Sequence, residues 1–175
     1  MKSNLVNDSA ITLRALEPED LNILYLYENS KEVWRVSGTQ VPFSRQILRK
    51  FIESAFTDIY KSGQLRLMID SAGEAIGAVD IFDFDPHNSR AGVGIIIFSG
   101  KERQKGHATK AMELLMEYCY TTLMLHQLYC NISSDNTQSL ALFRKLGFEV
   151  VGIKKDWNRI DGQFFDEIIL QKIVL

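Results

Sequence analysis

An almost unbroken apolar run, Val93 to Phe98, leads into a short basic loop, Arg103-Gln104-Lys105-Gly106-His107-Ala108-Thr109, and then into a long amphipathic pattern from Ala108 to about Leu123. That order predicts strand, tight loop, helix. The first N–H groups of a helix lack intrahelical partners, and the helix dipole adds partial positive charge beside them. A loop of this kind suits a phosphate or pyrophosphate. Gly106 has no Cβ and lets a ligand approach the backbone, while Arg103 and Lys105 add charge. A strand-to-helix loop can also hold one glycine and a few basic residues for the turn alone, so this stretch by itself does not decide the ligand. Neither a Gly-x-x-x-x-Gly-Lys-Ser/Thr phosphate loop nor a Gly-x-Gly-x-x-Gly dinucleotide turn is present.

Arg103 to Ala108 reads Arg-x-x-Gly-x-Ala, and a second segment follows at Asn136-Thr137-Gln138-Ser139-Leu140-Ala141-Leu142-Phe143-Arg144-Lys145-Leu146-Gly147-Phe148. The first resembles the Gln/Arg-x-x-Gly-x-Gly/Ala coenzyme-A loop of the GNAT acyltransferase superfamily. The second resembles that family's Asn-x-x-Ala/Ser-x-x-Leu/Ile-Tyr/Phe-x-Lys-x-Gly-Phe pattern. Each is weak alone; both in order within one chain are a strong signal. The resemblance runs from Ile11 to Ile173 and looks closest to bacterial spermidine and ribosomal-protein N-acetyltransferases. It implies an α/β (α+β) fold: a central mixed, mostly antiparallel twisted sheet of about seven strands, flanked by about four helices. At 175 residues a single domain, 1–175, is expected.

Formal net charge is −2, which gives no global pull toward nucleic acid. Cys119 and Cys130 lack metal-ligand spacing; one falls on the apolar side of a helix and the other in a strand, so both are expected as buried thiols in a reduced cytoplasm. The three histidines are scattered, so no metal site is expected. Met1 to Ala10 is polar, unlike a signal peptide, and no apolar run approaches membrane-spanning length.

Along the chain, Ile11 to Ala15 alternates as a strand, and Glu17-Pro18-Glu19-Asp20 opens a helix through Glu28. Asn29 to Phe43 reads as loop, and Ser44 caps a helix to about Lys61. Leu65 to Asp70, Ala75 to Phe84 and Arg90 to Phe98 read as an antiparallel meander, with Gly92 and Gly94 marking a bulge or a close ligand approach. Gln127 to Ser133 is the next strand, and Gly147-Phe148 ends the helix that Asp135 or Asn136 caps. Two last strands, about Glu149 to Trp157 and Phe164 to Ile173, meet at an Asp161-Gly162 hairpin turn. The end strand from Ile168 could lie inside the sheet or pair across a dimer; monomer and homodimer both remain open.

The resemblance implies acetyl-CoA as cosubstrate, no metal, and direct transfer to a primary amine (a small-molecule amine, a polyamine or a protein N-terminus) in a ternary complex. Backbone amides from Gln104 to Thr109 (Gln104, Lys105, Gly106, His107, Ala108, Thr109), with Arg103, would hold the pyrophosphate. The main chain of Ile95, Ile96 and Ile97, on a strand splayed from its neighbour, would pair with the pantetheine arm like an added strand. Asn136 would hydrogen-bond the coenzyme; a plain helix N-cap is its other reading, and the two are compatible.

Two departures matter. Phe143 stands where many members carry a tyrosine that donates a proton to the leaving thiolate, and phenylalanine has no proton to give. Gly92 stands where many carry a glutamate invoked as base. The remaining candidates are strand carboxylates: Asp83 and Asp85 nearer the turn, which read as turn residues, and Asp80 within Ala78-Val79-Asp80-Ile81-Phe82. An aspartate there costs free energy if buried unpaired, so it either attracts the cationic amine and relays its proton, or is solvated or salt-bridged. Trp34 is a candidate acceptor contact or a core anchor. The family's spermidine acetyltransferases usually carry extra acids in the loop after the first helix; Val33 to Gln40, the matching segment, holds none and one arginine, so the resemblance counts against spermidine and for a small-molecule amine or a protein N-terminal amine. The departures also keep open a catalytically silent acyl-CoA-binding module. No nucleic-acid or membrane partner is expected.

Overall fold

Leu65–Ser71 and Glu74–Asp85 (β3 and β4) each send alternate side chains to opposite faces. They pair antiparallel with Arg66 opposite Asp80, Leu67 opposite Val79 and Met68 opposite Ala78. One face thus carries Leu67 and Val79, and the other carries Arg66, Met68, Ala78 and Asp80. The computed structural model describes residues 4–8, 11–55, 57–98, 100 and 105–174, the first five by backbone only. The remaining strands are β1 Asn4–Asp8, β2 Ile11–Ala15, β5 Arg90–Ile97, β6 Gln127–Ser133, β7 Glu149–Ile160 and β8 Gln163–Ile173. The helices are α1 Leu21–Glu28, α2 Lys31–Ser37, α3 Arg45–Ser54, α4 Ile59–Ser62, α5 His107–Thr121 and α6 Thr137–Lys145.

The sheet has eight strands in the order β1-β2-β3-β4-β5-β6-β8-β7. Its one parallel pairing joins β5 to β6, and α5 is the crossover between them. The expected mixed, mostly antiparallel architecture holds, with one more strand and two more helices than read from sequence. The extra strand is β1, in a segment too polar to show alternation. The extra helices are short. In α2 the Ser30 side chain accepts from Val33 N, and Gly38 closes the helix at φ +70°. The helix expected from Ser44 to Lys61 stops at Ser54, and Asp58 caps the separate α4. The α6 stop is as expected: Gly147 N–H donates to Arg144 O and Phe148 N–H to Phe143 O, both at 3.0 Å. Strand β8 lies between β6 and β7, so the end strand is interior.

Two apolar clusters cover the two sheet faces. Leu67, Ile69, Val79 and Ile81 pack with Met112, Leu115 and Cys119 of α5. On the other face Met68 and Ala78 pack with Leu24 of α1 and Leu48 and Ile52 of α3. Burying an aliphatic side chain such as Leu24 contributes about 1.5–3 kcal/mol. Arg14, 1% exposed, sits on this second face. Its guanidinium donates to Asp70 at 2.8 Å and to both oxygens of Asp20 at 2.7 and 2.8 Å. Burial acts to lower the Arg14 pKa, but the Asp20 hydrogen bond is the largest influence and the net shift is upward. Asp20 also accepts from Glu17 N, so this cluster ties the start of α1 to β2 and β3 and fixes where its far end lies.

Both cysteines are buried, Cys119 at 0% and Cys130 at 2% exposure, and burial pushes each thiol pKa up to about 12. Only thiolate is a competent nucleophile. Neither is therefore expected to react with a disulfide reagent at pH 8 until the protein unfolds, when both react. Rapid release of one equivalent from the folded protein would contradict this placement.

Candidate active site

Strands β5 and β6 run parallel for three register pairs, Arg90–Gln127, Ala91–Leu128 and Gly92–Tyr129, and then part. Beyond Gly92, β5 remains paired to β4 as far as Ile97–Gly77, while among the described residues no strand pairs with its other edge from Val93 to Ile96. A cavity of about 740 Å³ opens there. Ile95 and Ile96 line it from β5, Cys130 to Ser133 from β6, and Asn136 to Ser139 with Phe143 from α6 and its cap. Ile97 is buried, opposite Gly77. The splay expected from the resemblance is thus present in the backbone, with a cavity beside the β5 edge.

Helix α5 must begin at the C-terminal end of β5, because it carries the chain back to start the parallel β6. That is the splayed end. Gly106 caps α5 at φ +83°, a left-handed conformation that glycine adopts without Cβ strain, and its carbonyl accepts from Lys110 N at 3.1 Å. The first-turn residues His107, Ala108 and Thr109 are half-buried, and Lys105 is exposed. Arg103 and Gln104 lie outside the described residues. Asn136 lines the cavity and is also the α6 N-cap, accepting from Ser139 N at 3.2 Å. One side-chain oxygen can do this while the amide nitrogen faces the cavity space.

At the other end of the cavity stands a row of residues opposite one another on three strands: Arg66 on β3, Asp80 on β4, Gly94 on β5. Arg66 grips Asp80 with two parallel hydrogen bonds, Nε to Oδ1 at 2.6 Å and Nη2 to Oδ2 at 3.0 Å. Its third nitrogen, Nη1, bonds Glu28 Oε1 at the end of α1. Phe51 of α3 lies under the guanidinium, 5.5 Å from ring centre to Cζ. Burial opposes the Arg66 charge, but Asp80 and Glu28 outweigh it and the pKa is raised. Asp80 is thus both a cavity residue and a salt-bridged strand aspartate. Glu28 and Arg66 were missed from sequence. Arg66 has a signal, a cation inside a mostly apolar strand next to the strand that carries Asp80; Glu28 reaches the pair only through the packing of α1.

Trp34 is half-buried and is not among the cavity-lining residues. Its indole N–H donates to the Glu28 carbonyl at 2.6 Å, so it anchors the end of α1. Arg35, on the same helix, crosses the cavity mouth to Asp135 at 2.9 Å. Burial would raise the Asp135 pKa, but its hydrogen bonds from Ser133 and Arg35 bring it below the usual carboxylate value. Asp83 and Asp85 lie away from this cavity: Asp83 accepts from Tyr129 Oη at 2.9 Å, and Asp85 closes the turn by accepting from Asn88 N at 3.0 Å.

The two departures take physical form here. Phe143 is 3% exposed and meets Phe148 edge-on at 5.0 Å between ring centres. A Cβ on Gly92 would lie 2.1 Å from the Phe82 ring. So Gly92 serves the packing of Phe82 rather than a close ligand approach. Gly94 has only ordinary contacts at that position, 3.8 Å to Phe82 and 4.0 Å to Asp80. Among the described residues, no group of three or more His, Cys, Asp or Glu is placed to hold a metal ion. No helix there is long and apolar enough to cross a membrane.

The family model described as Acetyltransferase (GNAT) domain matches residues 10–149. The chain is 30% identical over 164 residues to spermidine N(1)-acetyltransferase of Escherichia coli strain K12, covering 91% of this chain and 83% of the relative. A shorter stretch, 69 residues at 33% identity, matches the ribosomal protein uS5-alanine N-acetyltransferase of the same strain, covering 39% of this chain and 36% of that one. Among solved structures, the spermidine N-acetyltransferase of Vibrio cholerae, crystallised with CoA and spermine, superposes with a TM-score of 0.85 at 23% identity over 95% of this chain and 96% of the other. Splayed strands, helix-capping loop and family match agree: the chain belongs to the GNAT acetyltransferase family.

Proposed function

We propose that this protein transfers an acetyl group from acetyl-CoA to a primary amine, directly and within a ternary complex. The observation that carries this reading is the parting of β5 and β6 after Gly92–Tyr129, which leaves a strand edge beside a cavity continuous from Asn136 to Asp80. In this reading the pyrophosphate sits on the loop 103–109 and the first turn of α5. The main chain of Ile95, Ile96 and Ile97 aligns the pantetheine arm. Asn136 bonds the coenzyme with the amide group its capping role leaves over. The acceptor enters at the Glu28–Arg66–Asp80 end. Cys130 is the cysteine on the cavity wall, and its burial keeps it a thiol, so no covalent acetyl-enzyme is expected there.

The relatives' names carry a polyamine and a protein-terminal alanine; both are amines, and an amine is the class assigned here. Asp80 belongs to the acceptor end through its pairing with Arg66. Asp80→Asn unbalances that guanidinium and is expected to lower turnover about 10-fold or more with coenzyme affinity changed less than about 2-fold. Mass spectrometry of an amine mixture incubated with acetyl-CoA tests the reading itself. Appearance of an N-acetyl product supports it. Coenzyme binding with no product from any amine class would return the chain to a silent binding module.

A further inference from the structure

Among the described residues, three carboxylates and two guanidiniums line the main cavity: Glu28, Asp80 and Asp135 against Arg35 and Arg66. Their pairings are unequal. Asp135 is held by Arg35 and Ser133. Asp80 has both oxygens engaged by Arg66. Glu28 gives only Oε1 to Arg66; Oε2 accepts no hydrogen bond among the described residues and is not sealed from solvent. Among these described carboxylates the least engaged is therefore Glu28, on a half-buried side chain whose position is fixed from two sides. Trp34 holds its carbonyl, and Tyr27 before it stacks on Phe98 with ring centres 4.6 Å apart. In the strand row that Glu28 meets through Arg66, Gly94 stands beside Asp80 with only ordinary contacts at its Cβ position.

Resting on the acetyl-transfer reading above, we propose that Glu28 is the residue that binds the acceptor's ammonium group, through Oε2, and that Arg66 and Asp80 are its brace. The same count sets the acceptor class. One uncompensated carboxylate matches one ammonium. A second cation on the acceptor would meet Arg66 or Arg35, both already paired and both repulsive to it. The acceptor is a monoamine: a small molecule or chain end whose one positive charge is the ammonium that loses its proton and is acetylated.

Steady-state kinetics on the full chain test this, using a panel of monoamines, N-terminal peptides and linear polyamines. Glu28→Gln keeps an oxygen for Arg66 and removes the charge. It is expected to raise KM for the monoamine about 10–100-fold, the loss of one charge-assisted hydrogen bond, with kcat changed less than about 3-fold and CoA affinity by calorimetry unchanged. Glu28→Asp, which retains the charge, is expected to recover part of the loss and serves if the glutamine variant folds poorly. Wild-type kcat/KM is expected to favour monoamines. Normal transfer by the wild type with Glu28→Gln KM unchanged would overturn the role of Glu28. Preference for polyamines would overturn the acceptor class. Absence of transfer by the wild type on every amine would instead remove the activity on which the proposal rests.

Discussion

Replacing Arg66 with methionine is expected to lower kcat/KM for the amine about 100-fold while leaving CoA affinity within about 2-fold. Methionine fills comparable space beside Phe51 but carries no charge. Glu28 and Asp80 then face each other without the cation that holds both, and like charges repel. Removing one member of a fully buried ion pair costs about 3–5 kcal/mol. Here the side chains are 21% exposed for Arg66 and 27% for Asp80, so water screens part of the loss and about 2 kcal/mol is expected. For a chain of this length that is a Tm lower by about 4–8 °C. Steady-state kinetics, calorimetry and thermal unfolding on one preparation separate the effects. A variant of normal kcat/KM would show that the triad holds strands together and nothing more.

Gly92→Glu, which restores the residue many family members carry, is expected to destabilise this protein rather than improve it. The new Cβ would fall 2.1 Å from Phe82 Cε2 and 2.6 Å from Cδ2 and Cζ. Gly92 is buried and opposite Phe82 across β4 and β5, and the ring also meets Tyr129 edge-on at 6.0 Å. Overpacking of this kind costs about 1–3 kcal/mol, a Tm drop of about 2–12 °C. Pairing it with Phe82→Ala makes room for the side chain. The double variant is then expected to be more stable than the sum of the single losses by about 1–3 kcal/mol. Additive losses would mean that the ring moves aside at no cost and that glycine is not required by it.

What was legible in the sequence follows the strength of local signals. Ile11 to Ala15 and Gln127 to Ser133 were read to the residue because alternation and turns bound them. The Asp161-Gly162 turn was plain, and both residues adopt positive φ, 49° and 84°. Helix α2 was read as loop although Ser30 and Gly38 bracket it, because seven residues are too few to establish a period. The coenzyme edge was legible only through the family resemblance, since splaying is a relation between two strands. The acceptor end was half legible. Asp80 stood out as a charge in an apolar strand, but its partner depends on the β3–β4 register. Glu28 depends on α1 being held by Arg14, Asp20 and Asp70, none of which was singled out.

Direct transfer between two ligands held together in one cavity leaves a signature in initial-velocity kinetics. Thiol release is measured while acetyl-CoA and the best monoamine are varied against each other. The arrangement predicts intersecting double-reciprocal lines, and no thiol release when amine is left out. Parallel lines, with a burst of thiol in the absence of amine, would mean that the acetyl group rests on the protein first and would contradict the account.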